Sequence, residues 1–122
     1  MRRAILDTHA LLWLMEDDPR LGARAKALVE TSDVPLFVSY ASLWEMAVKQ
    51  SVGKLTLSLP LPQLVKKHVL GEGMWLLPIR LRHIARCSEL PLHHRDPFDR
   101  LVAAQCLTDE MGIFSRDAWF DA

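Results

Sequence analysis

Along this chain, short unbroken apolar runs alternate with stretches whose apolar residues recur every three or four positions, a pattern that predicts strands and helices in turn. Ala4-Ile5-Leu6 is the first run; it stops at Asp7 and Thr8 and leads into a helix over 9–16 that Asp17-Asp18-Pro19 closes. Residues 22–31, rich in Ala, Lys and Arg, predict a second helix. Leu36-Phe37-Val38-Ser39 predicts the next strand. It is followed by a helix over 40–52 with Leu43, Met46 and Ala47 on one face, Ser39 or Ser42 as its cap and Gly53 as its stop. Prolines punctuate 54–62 and predict a loop, 61–70 predicts a short amphipathic helix ended by Gly71-Glu72-Gly73, and Met74-Trp75-Leu76-Leu77 is the third strand. A helix of mixed polarity over 80–90 is broken at Pro91.

The segment that follows predicts the longest helix. Asp96 can cap it, Pro97 suits its first position, and Asp99 falls where a capping-box carboxylate reaches back. Phe98, Leu101, Val102 and Cys106 recur on one face, while Ala103 and Ala104 let a neighbour approach closely. Gly112 ends the run, and Ile113-Phe114-Ser115 predicts a fourth strand that delivers Arg116 and Asp117. Strands and helices alternate throughout, so the sheet is expected to be mainly parallel with helices on both faces. Ligands of such sheets bind beyond the carboxyl ends of the strands, which puts Asp7 and Asp117 on one rim.

At 122 residues, 50% hydrophobic and 25% charged, the chain fits one globular domain and excludes disordered or fibrous classes. Fifteen basic and fifteen acidic side chains cancel, so net charge argues neither for nor against a nucleic-acid partner. Cys87 and Cys106 lack the spacing of a metal knuckle or redox pair and read as buried thiols. Arg2 and Arg3 precede an apolar stretch, but Asp7 and His9 interrupt it and no small-residue cleavage site follows. With no apolar span of membrane length either, a soluble cytoplasmic protein without membrane contact is expected.

Asp7, Glu45, Asp96, Asp99 and Asp117 are the candidate chemistry. Each has an ordinary structural role open to it: Asp7, Asp96 and Asp99 can cap helices, Glu45 can pair with Lys49 one turn on, and Asp117 can start a turn. Gathered at one place they need a counter-ion, because two such charges about 4 Å apart repel by about 4 kcal/mol at an effective dielectric near 20. Oxygen donors without clustered cysteine or histidine favour Mg²⁺ or Mn²⁺, and an ion held that way suits phosphodiester hydrolysis. Arg95, Arg100, Arg116 and Lys49 lie near the acids and can hold an RNA backbone, or can pair with the acids themselves. His93 and His94 lack a third soft ligand nearby and fit loop or supporting roles. The helix over 9–16 is apolar nearly all round, which fits either burial or, with Trp44, a partner surface.

Four blocks carry a family resemblance: Leu6-Asp7-Thr8-His9-Ala10-Leu11-Leu12-Trp13; Ser42-Leu43-Trp44-Glu45-Met46-Ala47-Val48-Lys49 with Gly53-Lys54-Leu55; His94-Arg95-Asp96-Pro97-Phe98-Asp99-Arg100; and Ser115-Arg116-Asp117. In this order they resemble a PIN domain nuclease of the VapC toxin type. The resemblance implies a three-layer α/β/α fold and Mg²⁺- or Mn²⁺-dependent cleavage of RNA. It also implies an antitoxin partner and a homodimer. It assigns the metal-binding and catalytic acids to Asp7, Glu45, Asp99 and Asp117, with Thr8 and Ser115 as polar support and Asp96 as a cap or supporting residue. Two departures stand out. Ser115 replaces the usual threonine, and the chain stops at Ala122 where relatives continue into a further strand, leaving the usual C-terminal strand of a single 1–122 domain in question. A Mg²⁺-binding phosphoacceptor receiver domain is the alternative, although it wants an acid pair after the first strand and a lysine after a late one. A module that kept the fold without activity is a third reading, and the presence of all four acids gives no reason to prefer it.

Overall fold

Five strands form one sheet among the residues that the computed structural model describes, namely 3–19, 23, 27, 30, 33–91, 96–114 and 119–120. β1 (Ala4–Leu6) lies at the centre, flanked by β2 (Leu36–Ser39) and β4 (Gly112–Phe114). β3 (Trp75–Leu77) pairs with the outer edge of β2 and β5 (Trp119–Phe120) with that of β4. The first four strands are parallel, as the alternating pattern predicts, and β5 is antiparallel, a short strand beyond the last candidate acid.

Register sorts the strand side chains into two cores. Ala4 and Leu6, Leu36 and Val38, and Phe114 pack on one face with Leu11 and Met15 of α1 (Thr8–Met15), Met46 of α2 (Tyr40–Ser51) and Leu64 of α3 (Leu61–Val65). Ile5, Leu77, Phe37 and Ile113 pack on the other with Ala41, and with Val102 and Cys106 of α5 (Pro97–Asp109). Helices therefore cover both faces, giving the three layers of an α/β/α sandwich. The Cys106 thiol, buried at 1% exposure, is pushed up to about 12 by that burial and is inert, as its place on the apolar face predicts.

Of the helix expected over 22–31, Ala23, Ala27 and Glu30 are described and are helical; its other residues lie outside the described set. The helix expected over 61–70 is α3 continued by a π-helical turn, Lys66–Leu70, in which Gly71 N–H donates to Lys66 O at 2.8 Å. The helix expected over 80–90 is the shorter α4 (Leu81–Cys87). Four helix stops share one geometry, an N–H reaching back five residues around a left-handed residue. Asp18 N–H donates to Trp13 O around Asp17 (φ 50°) and Lys54 N–H to Lys49 O around Gly53 (φ 77°). Likewise, Met74 N–H donates to Val69 O around Gly73 (φ 76°) and Met111 N–H to Cys106 O around Glu110 (φ 54°). Gly53 was legible as a stop, but the long helix ends at Glu110 rather than at Gly112, which opens β4 instead.

Two polar joints position α5. Gln105, wholly buried, accepts from Ser39 Oγ at the end of β2 and donates through Nε2 to Pro78 O at 3.2 Å just past β3. At the far end of the helix, Asp109 accepts from Arg82 Nε at 3.0 Å and Nη2 at 3.3 Å, and from Nε2 of the wholly buried His83 at 2.9 Å. His83 Nδ1 accepts Arg80 N–H at 2.9 Å, so the ring proton sits on Nε2. Burial works against the Asp109 carboxylate, but the Arg82 and His83 hydrogen bonds outweigh it and hold the carboxyl below its ordinary range.

Two measurements check these assignments. A left-handed backbone at a residue with a side chain costs about 1 kcal/mol, so Glu110→Gly is expected to raise urea stability by about 0.5–1 kcal/mol. Because the folded Asp109 carboxyl is depressed, its stabilisation is present above the unfolded value of 3.8 and is lost as pH falls through the lower folded one. Asp109→Asn is expected to cost about 2 kcal/mol at pH 7 and to flatten the pH dependence of stability in that acid window.

Candidate active site

The site begins where β1 ends. Asp7 N–H donates to Phe114 O at 2.8 Å, tying the ends of β1 and β4 together, and Asp7 Oδ1 accepts His9 N–H at 2.9 Å as the cap of α1. The His9 ring lies over the same oxygen, with Nδ1 at 3.7 Å. Among the described residues these contacts all fall on Oδ1. Thr8 follows, its hydroxyl 2.7 Å from that of buried Ser42, so the start of α1 is hydrogen-bonded to α2.

Glu45 lies three residues after Ser42 on α2 and is 4% exposed. Lys49 Nζ donates to its Oε2 at 2.7 Å, while Oε1 is buried without a partner among the described residues. A carboxylate oxygen in that state carries a desolvation cost of about 1–3 kcal/mol or more, which a cation removes. The Glu45 hydrogen bond, against the cost of partial burial and aided by the charges of Glu45, Asp96 and Asp99, lifts the Lys49 ammonium above its ordinary range.

α5 supplies the remaining described acids. Asp96 Oδ1 accepts Phe98 N–H at 2.8 Å and Asp99 N–H at 3.1 Å, so Asp96 is the cap and Pro97 the first helical residue, as expected. The Asp99 carboxylate is not part of that cap. It lines a pocket of about 300 Å³ with Asp7, Thr8, His9, Val102, Ala103 and Ile113. Burial pushes the Asp99 carboxyl up, and repulsion from Asp96, Glu45 and Asp7 adds to the shift while His9 offsets part of it. The end of β1, the interior of α2 and the start of α5 thus bring Asp7, Glu45 and Asp96 within electrostatic reach of Asp99.

These acids do not form a closed cage. Among the described residues, no three acids, histidines or cysteines are gathered tightly enough to hold a metal ion between them. Asp117 lies outside the described residues, as do Ser115, Arg95, Arg116, His93 and His94. The donors that are described fit a hard divalent ion: they are carboxylate oxygens, and one of them, Glu45 Oε1, is buried and unpaired.

Other sequence candidates have different places. Arg100 donates to the carbonyls of Cys87 and Pro91, so its guanidinium holds the end of α4. The apolar side chains of α1 go into the core, with Ala10, Leu11, Trp13 and Met15 buried and Leu12 and Leu14 packed against them, which decides for burial over a partner surface. Trp44 stays 52% exposed, edge-on to Phe98 with ring centroids 4.9 Å apart, and clamps α2 to α5 beside the acids. A larger hollow of about 710 Å³ opens at the opposite end of the strands, near Leu36 and Trp75, and contains none of the candidate acids. Sequence reasoning passed over His9 and the Thr8–Ser42 bond, although Ser42 three residues before Glu45 shares its helix face and was a readable signal.

Among solved structures, the chain resembles one in VapBC2 from Rickettsia felis bound to a DNA fragment from their promoter, at 15% identity and a TM-score of 0.59, covering 90% of this chain and 84% of that one. The likeness is one of fold. No curated protein matches the sequence. The PIN domain family profile matches residues 4–122, nearly the whole chain and all four of the blocks that suggested it. The chain therefore belongs to the PIN domain family, whose members are generally nucleases.

Proposed function

We propose that this protein is a divalent-metal-dependent endoribonuclease and the toxin of a toxin-antitoxin pair, acting in the cytoplasm. The observation that carries the reading is the convergence of Asp7, Glu45 and Asp99 at the carboxyl ends of the strands, with a carboxyl raised by burial and by its acidic neighbours and a buried carboxylate oxygen left unpaired among the described residues. Family membership and the likeness to a chain of a VapBC structure support the same chemistry.

Asp7 and Asp99 are assigned to hold Mg²⁺ or Mn²⁺, with Glu45 and Asp117 completing the acidic pocket. The ion supplies positive charge that offsets the scissile phosphate and makes a water acidic enough to attack it. Thr8 keeps the α1 end in place through Ser42, and Ser115 is assigned to polar support. Asp96 holds the start of α5 and so aims Asp99. Arg95, Arg116 and Lys49 are assigned to the RNA backbone, which a purely acidic pocket repels. Arg100 is left out, since its guanidinium is engaged with two carbonyls. An antitoxin that blocks the pocket and a second copy of the chain are the proposed protein partners. Among the described residues no helix is long and apolar enough to cross a membrane.

Incubation with total RNA in Mg²⁺, Mn²⁺ or chelator, followed by mapping of the new ends, tests this directly. Cleavage is expected only with metal, leaving 5′-phosphate and 3′-hydroxyl ends; 2′,3′-cyclic phosphates would mean attack by the ribose hydroxyl. Asp7→Asn is expected to lower cleavage at least about a hundredfold without unfolding the protein, and full activity in that variant would remove Asp7 from the site. Asp99 offers a second measurement, because its raised carboxyl makes ionisation costly to the folded state. Stability is therefore lost as pH rises from the unfolded value of 3.8 through the higher folded one. Above that window Asp99→Asn is expected to stabilise the metal-free protein by about 0.5 kcal/mol after solvent screening, and to abolish any stabilisation by Mg²⁺.

A further inference from the structure

We propose that Lys49 is the resident counter-ion of the acidic pocket, balancing Glu45 in the metal-free protein and thereby holding down the affinity for a divalent cation. The inference rests on the metal-dependent reading above and adds a role for a residue that the reading places only on RNA.

The pair is asymmetric. The Glu45 side chain is 5% exposed and the Lys49 side chain 44%, with Nζ 2.7 Å from Oε2. The acid is thus the buried member, and the lysine is a mobile charge on a flexible stem that reaches in from the rim. Lys49 serves only one oxygen of Glu45, and Oε1 stays buried and unpaired among the described residues. A single ammonium therefore leaves the carboxylate half satisfied, and the remaining buried oxygen lacks the partner that a second cation supplies. The Lys49 charge also acts on Asp96 and Asp99, the latter lining the pocket with Asp7. A divalent ion approaching these acids meets a positive charge already in place, and the two cations repel. Entry of the ion favours withdrawal of the lysine, which then stands at the rim with its charge free for a phosphate oxygen. One side chain in this way serves the metal-free and the substrate-bound states in turn.

The test is titration calorimetry of Mn²⁺ and Mg²⁺ into the metal-free full chain, with thermal melts run without and with metal. Lys49→Met keeps the stem and removes the charge, whereas Lys49→Arg keeps a cation within reach of Glu45. The methionine variant is expected to bind Mn²⁺ about tenfold tighter than the unaltered chain, to melt lower without metal and to gain more from its addition. The arginine variant is expected to stay close to the unaltered chain, a split that a purely structural helix pair does not produce. Should the methionine variant fail to fold, Lys49→Gln carries the same comparison, its amide keeping a hydrogen bond without the charge. Unchanged or weaker metal affinity on loss of the charge overturns the proposal while leaving the nuclease reading intact. Absence of metal binding in every form, the unaltered chain included, overturns the metal reading itself and this inference with it.

Discussion

Carboxylates repel, and the architecture of this protein is arranged so that several of them cannot move apart. Asp7 is held by the backbone bond from its N–H to Phe114 O and by the three wholly buried residues of β1 before it. Asp99 is held by α5, whose opposite face is anchored by Gln105 to the ends of β2 and β3. Burying Ile5 and Leu6 alone contributes about 3–6 kcal/mol, comparable with the about 4 kcal/mol by which two close carboxylates repel at an effective dielectric near 20. The apolar layers are thus strong enough to hold a charge distribution that the acids themselves oppose.

Helix starts moderate that opposition unevenly. Asp7 and Asp96 cap α1 and α5, where backbone N–H groups and the positive end of the helix favour a negative charge by about 0.3–1 kcal/mol. Asp99, in the first turn of α5, shares some of that field, yet burial, with three neighbouring acids adding to it, still raises its carboxyl. Glu45 lies in the interior of α2 with no helix end to help it, and a lysine one turn on takes that place. Each acid has local support suited to a metal-free state, and each support is partial.

Much of this was legible in the sequence because local chemistry determines it. The strand Leu36–Ser39 and its Ser39 cap, the Asp96-Pro97 helix start and the Gly53 stop all follow from side-chain pattern and capping groups, and each stands where expected. What was not legible depends on partners distant in the chain. The end of the long helix at Glu110 is set by the backbone bond from Met111 back to Cys106, at a residue with no turn preference of its own. The Asp109 joint draws on Arg82 and His83, twenty-seven and twenty-six residues away, and nothing in the local pattern around Asp109 announces them. Within the site, Asp7 and the acids at the start of α5 were readable from their places at strand and helix ends and Glu45 from the family resemblance, whereas its unpaired oxygen required the packing around it.

The two ends of α5 separate an acid that builds the fold from one available for chemistry. Asp109 and Asp99 are the same residue type on the same helix, and although Asp99 is the more exposed of the two, their carboxyls shift in opposite directions. At Asp109, Arg82 and His83 supply donors to both oxygens, so the charge is satisfied internally and the group serves as a clasp between α4 and α5. At Asp99 the described neighbours are mainly other acids, and the nearby lysine is committed to Glu45. Burial alone does not distinguish the two cases; the sign of the surrounding charge does. A chain that can neutralise an aspartate completely at one end of a helix and leaves another in a field of like charge at the other end has concentrated its unmet demand for a cation at the carboxyl ends of the strands, where a parallel sheet receives its ligand.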